Sequence, residues 1–205
     1  MTALPLQAVV PERTPASAAE PLLGVYRRPP IELARGAGVR VFDREGRAYL
    51  DFTSGIGVNA FGHGDEELAA VMRAATSSGL VHTSNLYHTE PAHRLAAELT
   101  RRSGLDRAFF CNSGAEANEG AFKFARRWAR ELGGPAKHEI LAVRGGFHGR
   151  LFASLAATDR PNYRAPFRPL AAGVSVVERD LRTLEHVLDG ESVAALIIEP
   201  VQGEG

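Results

Sequence analysis

The chain has 205 residues, 44% of them hydrophobic, and its 24 basic side chains balance 24 acidic ones. That suits one sizeable domain, or a large domain with a small appendage, built around a real core. Zero net charge leaves no long-range field to gather nucleic acid or anionic lipid, and no apolar run approaches the roughly 20 residues that span a bilayer.

Small molecules and other protein chains are therefore the expected partners, with no nucleic acid and no membrane. Only Lys123 and Lys137 are lysines, the other basic residues being arginines. The single cysteine, Cys111, excludes an intrachain disulfide and suits a reducing compartment. The N-terminus lacks an apolar segment behind a basic start, so a cytoplasmic location is expected.

Residues 1–25, rich in Pro, Ala, Ser and Thr, read as a flexible extension. Gly38–Phe52 reads as a hairpin around Asp43-Arg44-Glu45-Gly46, where Gly46 can take a positive φ. Asp65 is placed to cap a helix carrying Leu68, Val71, Met72 and Ala75 on one face. Thr89 can cap the next, with Pro91 in its first turn, Leu95, Ala96 and Leu99 inward, and Gly104 as its stop.

Strands and helices then alternate. Strands are predicted at Arg107–Cys111, Glu139–Val143, Val174–Val177 and Val193–Ile198; helices at Gly114–Leu132, about Arg150–Ala157 and Asp180–Leu188. This alternation argues for an α/β fold with a mostly parallel sheet and flanking helices. The chain stops just past a buried-looking strand, which reads as a truncation that leaves a sheet edge unpaired.

Three motifs carry chemistry. The first is Asn112-Ser113-Gly114-Ala115-Glu116-Ala117-Asn118, where the chain turns directly into a long helix. The amides of Gly114 and Ala115 at that helix start form a ready anion site, and Ser113 can add a donor or simply cap the helix. Neither a Gly-Lys-Ser/Thr nor a G-x-G-x-x-G pattern is present, which argues against nucleotide and dinucleotide loops.

The second is Gly145-Gly146-Phe147-His148-Gly149-Arg150, at the carboxyl end of a predicted strand, where parallel sheets bind ligands. Phe147 is placed to lie on a ligand ring, or to pack within its own loop; Arg150 offers a planar fork for a carboxylate. The third is Glu199-Pro200-Val201-Gln202-Gly203-Glu204-Gly205, again past a strand. Its two carboxylates can orient polar substrate groups or merely solvate a loop.

Two other readings are weaker. Cys111 as a nucleophile with His148 as base conflicts with a cysteine closing an apolar strand, where a small buried thiol is expected. His82, His88 and His93 lack the spacing of a metal site on one helix face.

Taken together, the motifs resemble the class III (ω-amino acid) aminotransferases of pyridoxal-phosphate (PLP) fold type I, from about Tyr26 onward. The resemblance includes Gly55-Ile56-Gly57-Val58-Asn59-Ala60-Phe61-Gly62-His63 and His82-Thr83-Ser84-Asn85-Leu86-Tyr87. It implies that residues 26–64 belong to a small domain and 65–205 to an incomplete large PLP-binding domain. It also implies that Ser113, Gly114 and Ala115 hold the cofactor phosphate, that Phe147 stacks on the pyridine ring with His148 beside it, and that Glu199 lies near the cofactor. Arg150 would bind a substrate α-carboxylate, Ile56 would touch substrate and favour an N-acylated one, and Glu204 would pair with a downstream arginine.

The implied reaction moves the terminal amine of N-acetylornithine to 2-oxoglutarate. Succinylornithine, acyl-diaminopimelate and carrier-bound lysine are rival donors, and a non-catalytic PLP-binding module is a further alternative. The implied complete protein is a homodimer. Neither lysine matches the Schiff-base lysine of the family, which is expected beyond Gly205, so these 205 residues are expected to be inactive alone.

Overall fold

The computed structural model describes residues 22–188 and 190–203, in two compact units that divide between Tyr87 and His88. In the first, β1 (Leu33–Ala37), β2 (Arg40–Asp43) and β3 (Ala48–Leu50) form an antiparallel sheet in that order. The β2–β3 turn is tied by the buried Asp43, whose carboxylate accepts from the Arg47 amide (2.8 Å), the Arg47 Nε (2.6 Å) and the Tyr49 hydroxyl (2.8 Å). Burial alone would raise its pKa, but the Tyr49 and Arg47 hydrogen bonds outweigh burial and hold it below the usual carboxylate range. Gly46 takes the expected positive φ of 81°.

Helix α1 (Glu66–Ser77) follows, with Asp65 Oδ1 accepting from the Leu68 amide at 2.7 Å as the cap pattern requires. Its apolar residues Leu68, Val71 and Met72 are nevertheless exposed.

The second unit opens with α2 (Glu90–Ser103), which differs from expectation twice. Thr89 occupies the N-cap position in extended backbone but makes no side-chain cap bond, and Leu95 and Leu99 are exposed rather than inward. Gly104 does end the helix, at a left-handed φ of 71°. There follow α3 (Gly114–Gly133), β4 (Glu139–Val143), α4 (Phe152–Ala157), α5 (Pro161–Arg164), β5 (Val174–Val177), α6 (Leu181–Val187) and β6 (Val193–Ile197).

The three strands pair in parallel, in the order β5-β4-β6. The central strand β4 is buried on both faces from Ile140 to Val143, which is why it reads as a continuous apolar run. On one face Ile140 and Ala142 pack against Phe122 of α3 and Ala157 of α4, with Ala125, Ala153 and Ala195 filling in. The small side chains let both helices sit close to the sheet.

The strand expected at Arg107–Cys111 does not form. Among the described residues no strand runs beside it, and an extended segment without a ladder partner gains no sheet hydrogen bonds. The segment is held instead by Phe109, whose ring meets Phe124 edge-on at 5.4 Å, beside Gly120, where a Cβ would stand only 2.9 Å from that ring. Cys111, expected to be buried, is consequently exposed. No helix among the described residues is long and apolar enough to cross a membrane.

Candidate active site

Helix α3 begins with a variant of the capping box, in which the Glu116 carboxylate takes the residue before the N-cap rather than the N-cap amide itself. Ser113 is the N-cap, its Oγ accepting from the Glu116 amide at 3.2 Å. Glu116 reaches back to take the Asn112 amide (2.6 Å) and side-chain Nδ2 (3.3 Å). Helix geometry leaves the first-turn amides of Gly114 and Ala115 without intrahelical acceptors, and the dipole there favours an anion by about 0.3–1 kcal/mol. The ground before Gly114 is open: a Cβ added there would meet nothing within 4 Å.

The 145–150 loop leaves the carboxyl end of β4 and is pinned along its length by the residues that follow α4. Gly145 donates to Asp159 Oδ2 (3.1 Å) and accepts from Arg160 Nη1 (3.0 Å), while Gly146 O accepts from the Asp159 amide (2.9 Å). The fully buried Thr158 Oγ1 accepts from the His148 amide (2.8 Å) and stands 2.9 Å from the carbonyls of Gly149 and Ser154, to either of which its single proton can be donated. Helix α4 is itself capped from α3: Glu119 Oε1 accepts from the amides of Ala153 (3.0 Å) and Ser154 (2.8 Å).

Two contacts bring this loop onto the start of α3. Asn118 Nδ2 donates to the His148 carbonyl at 2.7 Å. At Gly149, whose φ is +123°, a Cβ would lie 2.6 Å from Ala115 Cβ, so only glycine lets the loop backbone settle on the helix's first turn. The third motif joins from the end of β6, where Glu199 Oε2 accepts from the Phe147 amide at 3.0 Å. Gln202 Nε2 donates to the Arg144 carbonyl at 3.3 Å. Residues 113–118, 145–150 and 199–202 thus meet at one edge of the parallel sheet, the place where such sheets bind ligands.

Within this edge, Phe147 keeps 38% of its surface exposed, which leaves it available to cover a flat ligand. The Arg150 guanidinium lies 5.7 Å from that ring and 4.9 Å from the ring of Tyr163. His148 is only 5% exposed; burial pushes its imidazole pKa down, and nearby Glu199 offsets only part of that. Its Nε2 has no hydrogen-bond partner among the described residues.

Ile56 stands in the first unit, 90% exposed, and Glu204 lies outside the described residues. Of the two lysines, Lys123 is exposed and nine residues, roughly 13 Å, along α3 from Gly114, while the half-buried Lys137 donates to the Gly190 carbonyl at 2.9 Å. His88 Nδ1 and His93 Nε2 approach to 3.0 Å, and no group of three metal-ligating side chains forms among the described residues.

Sequence reasoning missed Asn118, Glu119, Thr158 and Asp159 as organisers of the site. Asn118 sits in the helix motif and was open to notice. Nothing local marks Thr158 or Asp159, whose amide donors His148 and Gly145 lie ten and fourteen residues away.

A helix start whose first-turn amides have no partner among the described residues, a partly exposed aromatic on the loop that meets it, and a buried imidazole with a half-buried carboxylate nearby fit an anionic, planar cofactor such as PLP. The chain matches the family model "Aminotransferase class-III" over residues 25–205, and it belongs to that family of PLP-dependent aminotransferases. Among curated relatives, it is 46% identical over 184 residues to an acetylornithine aminotransferase of Methanocaldococcus jannaschii, covering 89% of this chain and 46% of the relative. To that of Myxococcus xanthus it is 45% identical over 185 residues, covering 90% and 46%.

The chain therefore spans about half the length of the curated relatives it matches. Among solved structures, an ornithine aminotransferase from Toxoplasma gondii ME49 superposes with a TM-score of 0.79 at 26% identity, over 89% of this chain and 44% of that one. A thermostable (S)-enantioselective omega-transaminase from Thermomicrobium roseum gives 0.78 at 32%, over 85% and 44%.

Proposed function

We propose that the protein to which this chain belongs transfers the terminal amine of N-acetylornithine to 2-oxoglutarate, yielding N-acetylglutamate 5-semialdehyde and glutamate in arginine biosynthesis in the cytoplasm. The observation that carries this reading is the meeting of the α3 start, the Phe147–Arg150 loop and Glu199 at one sheet edge. The names of the relatives point the same way.

When bound, PLP supplies the electron sink that makes a carbon beside the substrate nitrogen acidic. The chain's own residues do the holding. First-turn amides of Gly114 and Ala115, with the Ser113 hydroxyl, receive the phosphate. Phe147 covers the ring face and excludes water from it, and His148, kept neutral by burial, stands beside it. Glu199 fixes the Phe147 backbone, and Arg150 offers its guanidinium to the donor's α-carboxylate. Ile56 meets the acyl-bearing end of the donor, where an apolar side chain asks for no partner, and Glu204 answers a downstream arginine.

The exposed apolar faces of α1 and α2 support association into a homodimer. The 205 residues by themselves lack a lysine at the site and are inactive on this reading.

The test is amine transfer by the full-length protein loaded with PLP. N-acetylornithine should react faster than ornithine, succinylornithine, acyl-diaminopimelate or carrier-bound lysine, with 2-oxoglutarate as acceptor. A stronger preference for another donor would reassign the substrate, and turnover by the 205-residue chain alone would overturn its inactivity.

A further inference from the structure

Ser54, Gly55, Ile56 and Gly57 all have positive φ, at 47°, 60°, 59° and 82°, a full left-handed turn that includes a β-branched residue. A β-branched side chain disfavours that backbone, so something must hold it. Packing does not: Phe52, Ile56 and Val58 are each more than four-fifths exposed among the described residues, and a small cavity of about 150 Å³ opens beneath the turn.

Hydrogen bonds remain. Asp51 Oδ1 accepts from the amides of Thr53 (3.0 Å) and Ser54 (2.9 Å), and its Oδ2 accepts from His63 Nε2 at 2.8 Å. Asn59 Nδ2 lies 3.1 Å from His63 Nδ1. With Asn59 donating there, the imidazole proton must sit on Nε2, facing Asp51, so a neutral ring satisfies both neighbours. The His63 hydrogen bond first, and then the Ser54 amide, hold the Asp51 carboxyl below its ordinary range.

Asn59 closes the turn from the other side: its amide donates to the Ser54 carbonyl at 3.0 Å and its carbonyl accepts from Ser54 Oγ at 3.1 Å. Both ends of the loop are moored to one place. His63 exchanges two backbone hydrogen bonds with Gly38, of 2.7 and 2.8 Å, and the Asp51 amide donates to Val39 at 2.9 Å.

We propose that Asp51, Asn59 and His63 are positioning residues, a polar clamp that imposes the left-handed turn at 54–57 and thereby sets where the Ile56 side chain stands. Their consequence for activity rests on the reading of Ile56 as a substrate contact given above; the clamp itself does not. Loosening it should blur the placement of Ile56 and weaken binding of the acylated amine without touching the site on the parallel sheet.

The experiment uses the full-length protein with bound PLP and two readouts. Amide exchange at Ile56 and Asn59, whose N–H groups bond Thr53 and Ser54 carbonyls, should quicken about tenfold or more in His63→Ala while the β2–β3 amides keep their protection. In the same variant, KM for the amine donor should rise about tenfold with kcat nearly unchanged. His63→Gln, which keeps a donor toward Asp51 but loses the Asn59 acceptor, should recover part of both.

If His63→Ala does not fold, Asn59→Ala serves for the same measurements. Unchanged exchange at Ile56 and Asn59, or equal loss of protection throughout the three-stranded sheet, overturns the clamp. Faster local exchange with an unchanged KM overturns Ile56 as a substrate contact and, with it, the positioning role.

Discussion

Loop 145–150 and loop 52–61 both pass through positive-φ backbone, but they meet that cost in different ways. In the first, the positive angles fall only on Gly145 and Gly149, and Asn118 of α3, the buried Thr158 at the end of α4 and Glu199 past β6 grip the backbone. In the second, Ser54 and Ile56 share the left-handed region with glycines, a conformation costing roughly 1–2 kcal/mol per non-glycine residue, and exposed side chains leave the polar clamp to hold it. Where backbone must press on backbone, shape decides and glycine is required; where a side chain must be displayed, hydrogen bonds carry the strain.

The sharpest way to break this contrast is to add one methyl group to each loop. Gly149→Ala should destabilise the protein by about 2–5 kcal/mol, summing a disfavoured φ and a collision with Ala115. Gly57→Ala, at φ 82° but with open space around it, should cost only about 1–2 kcal/mol. Urea unfolding of the two variants measures the gap, and equal losses would refute the distinction.

Thr158→Val, nearly the same shape, should cost about 1–3 kcal/mol by stranding the buried His148 amide. Its amide exchange should quicken around His148 and leave residues 52–61 untouched. Ser113→Ala, which removes a cap from a more exposed position, should cost about 1 kcal/mol in the same unfolding assay. It should also weaken PLP retention, read by cofactor loss on dialysis.

The smallest effect concerns pH. Burial lowers the His148 pKa in the folded state, so the unfolded chain takes up its proton first as pH falls. Its contribution is fully present above the ordinary histidine value of about 6.5 and declines as pH drops through that value toward the lowered one. Thermal melts across that window should show a slope that His148→Gln flattens.

The strands Glu139–Val143 and Val174–Val177, and the helix expected over Gly114–Leu132 and found over Gly114–Gly133, were legible because each carries its own periodicity or end signal. The site was legible as three motifs because chemistry-bearing residues follow strand ends or start a helix. The failures have a common cause. Arg107–Cys111 has the composition of a strand, but a strand is a relation to a neighbour, and none stands beside it among the described residues. Leu95 and Leu99 have the spacing of a buried face, and burial likewise needs something to cover it.

From sequence alone came local propensity: the cap at Ser113, the turn at Gly46, the stop at Gly104 and the apolar run of β4. Tertiary structure alone decided that Gly149 must rest on Ala115, that Thr158 must hold His148, and that Asp51 and His63 must meet across twelve residues. Those contacts depend on distances through space between separated segments, and local propensity carries no information about which segments will meet.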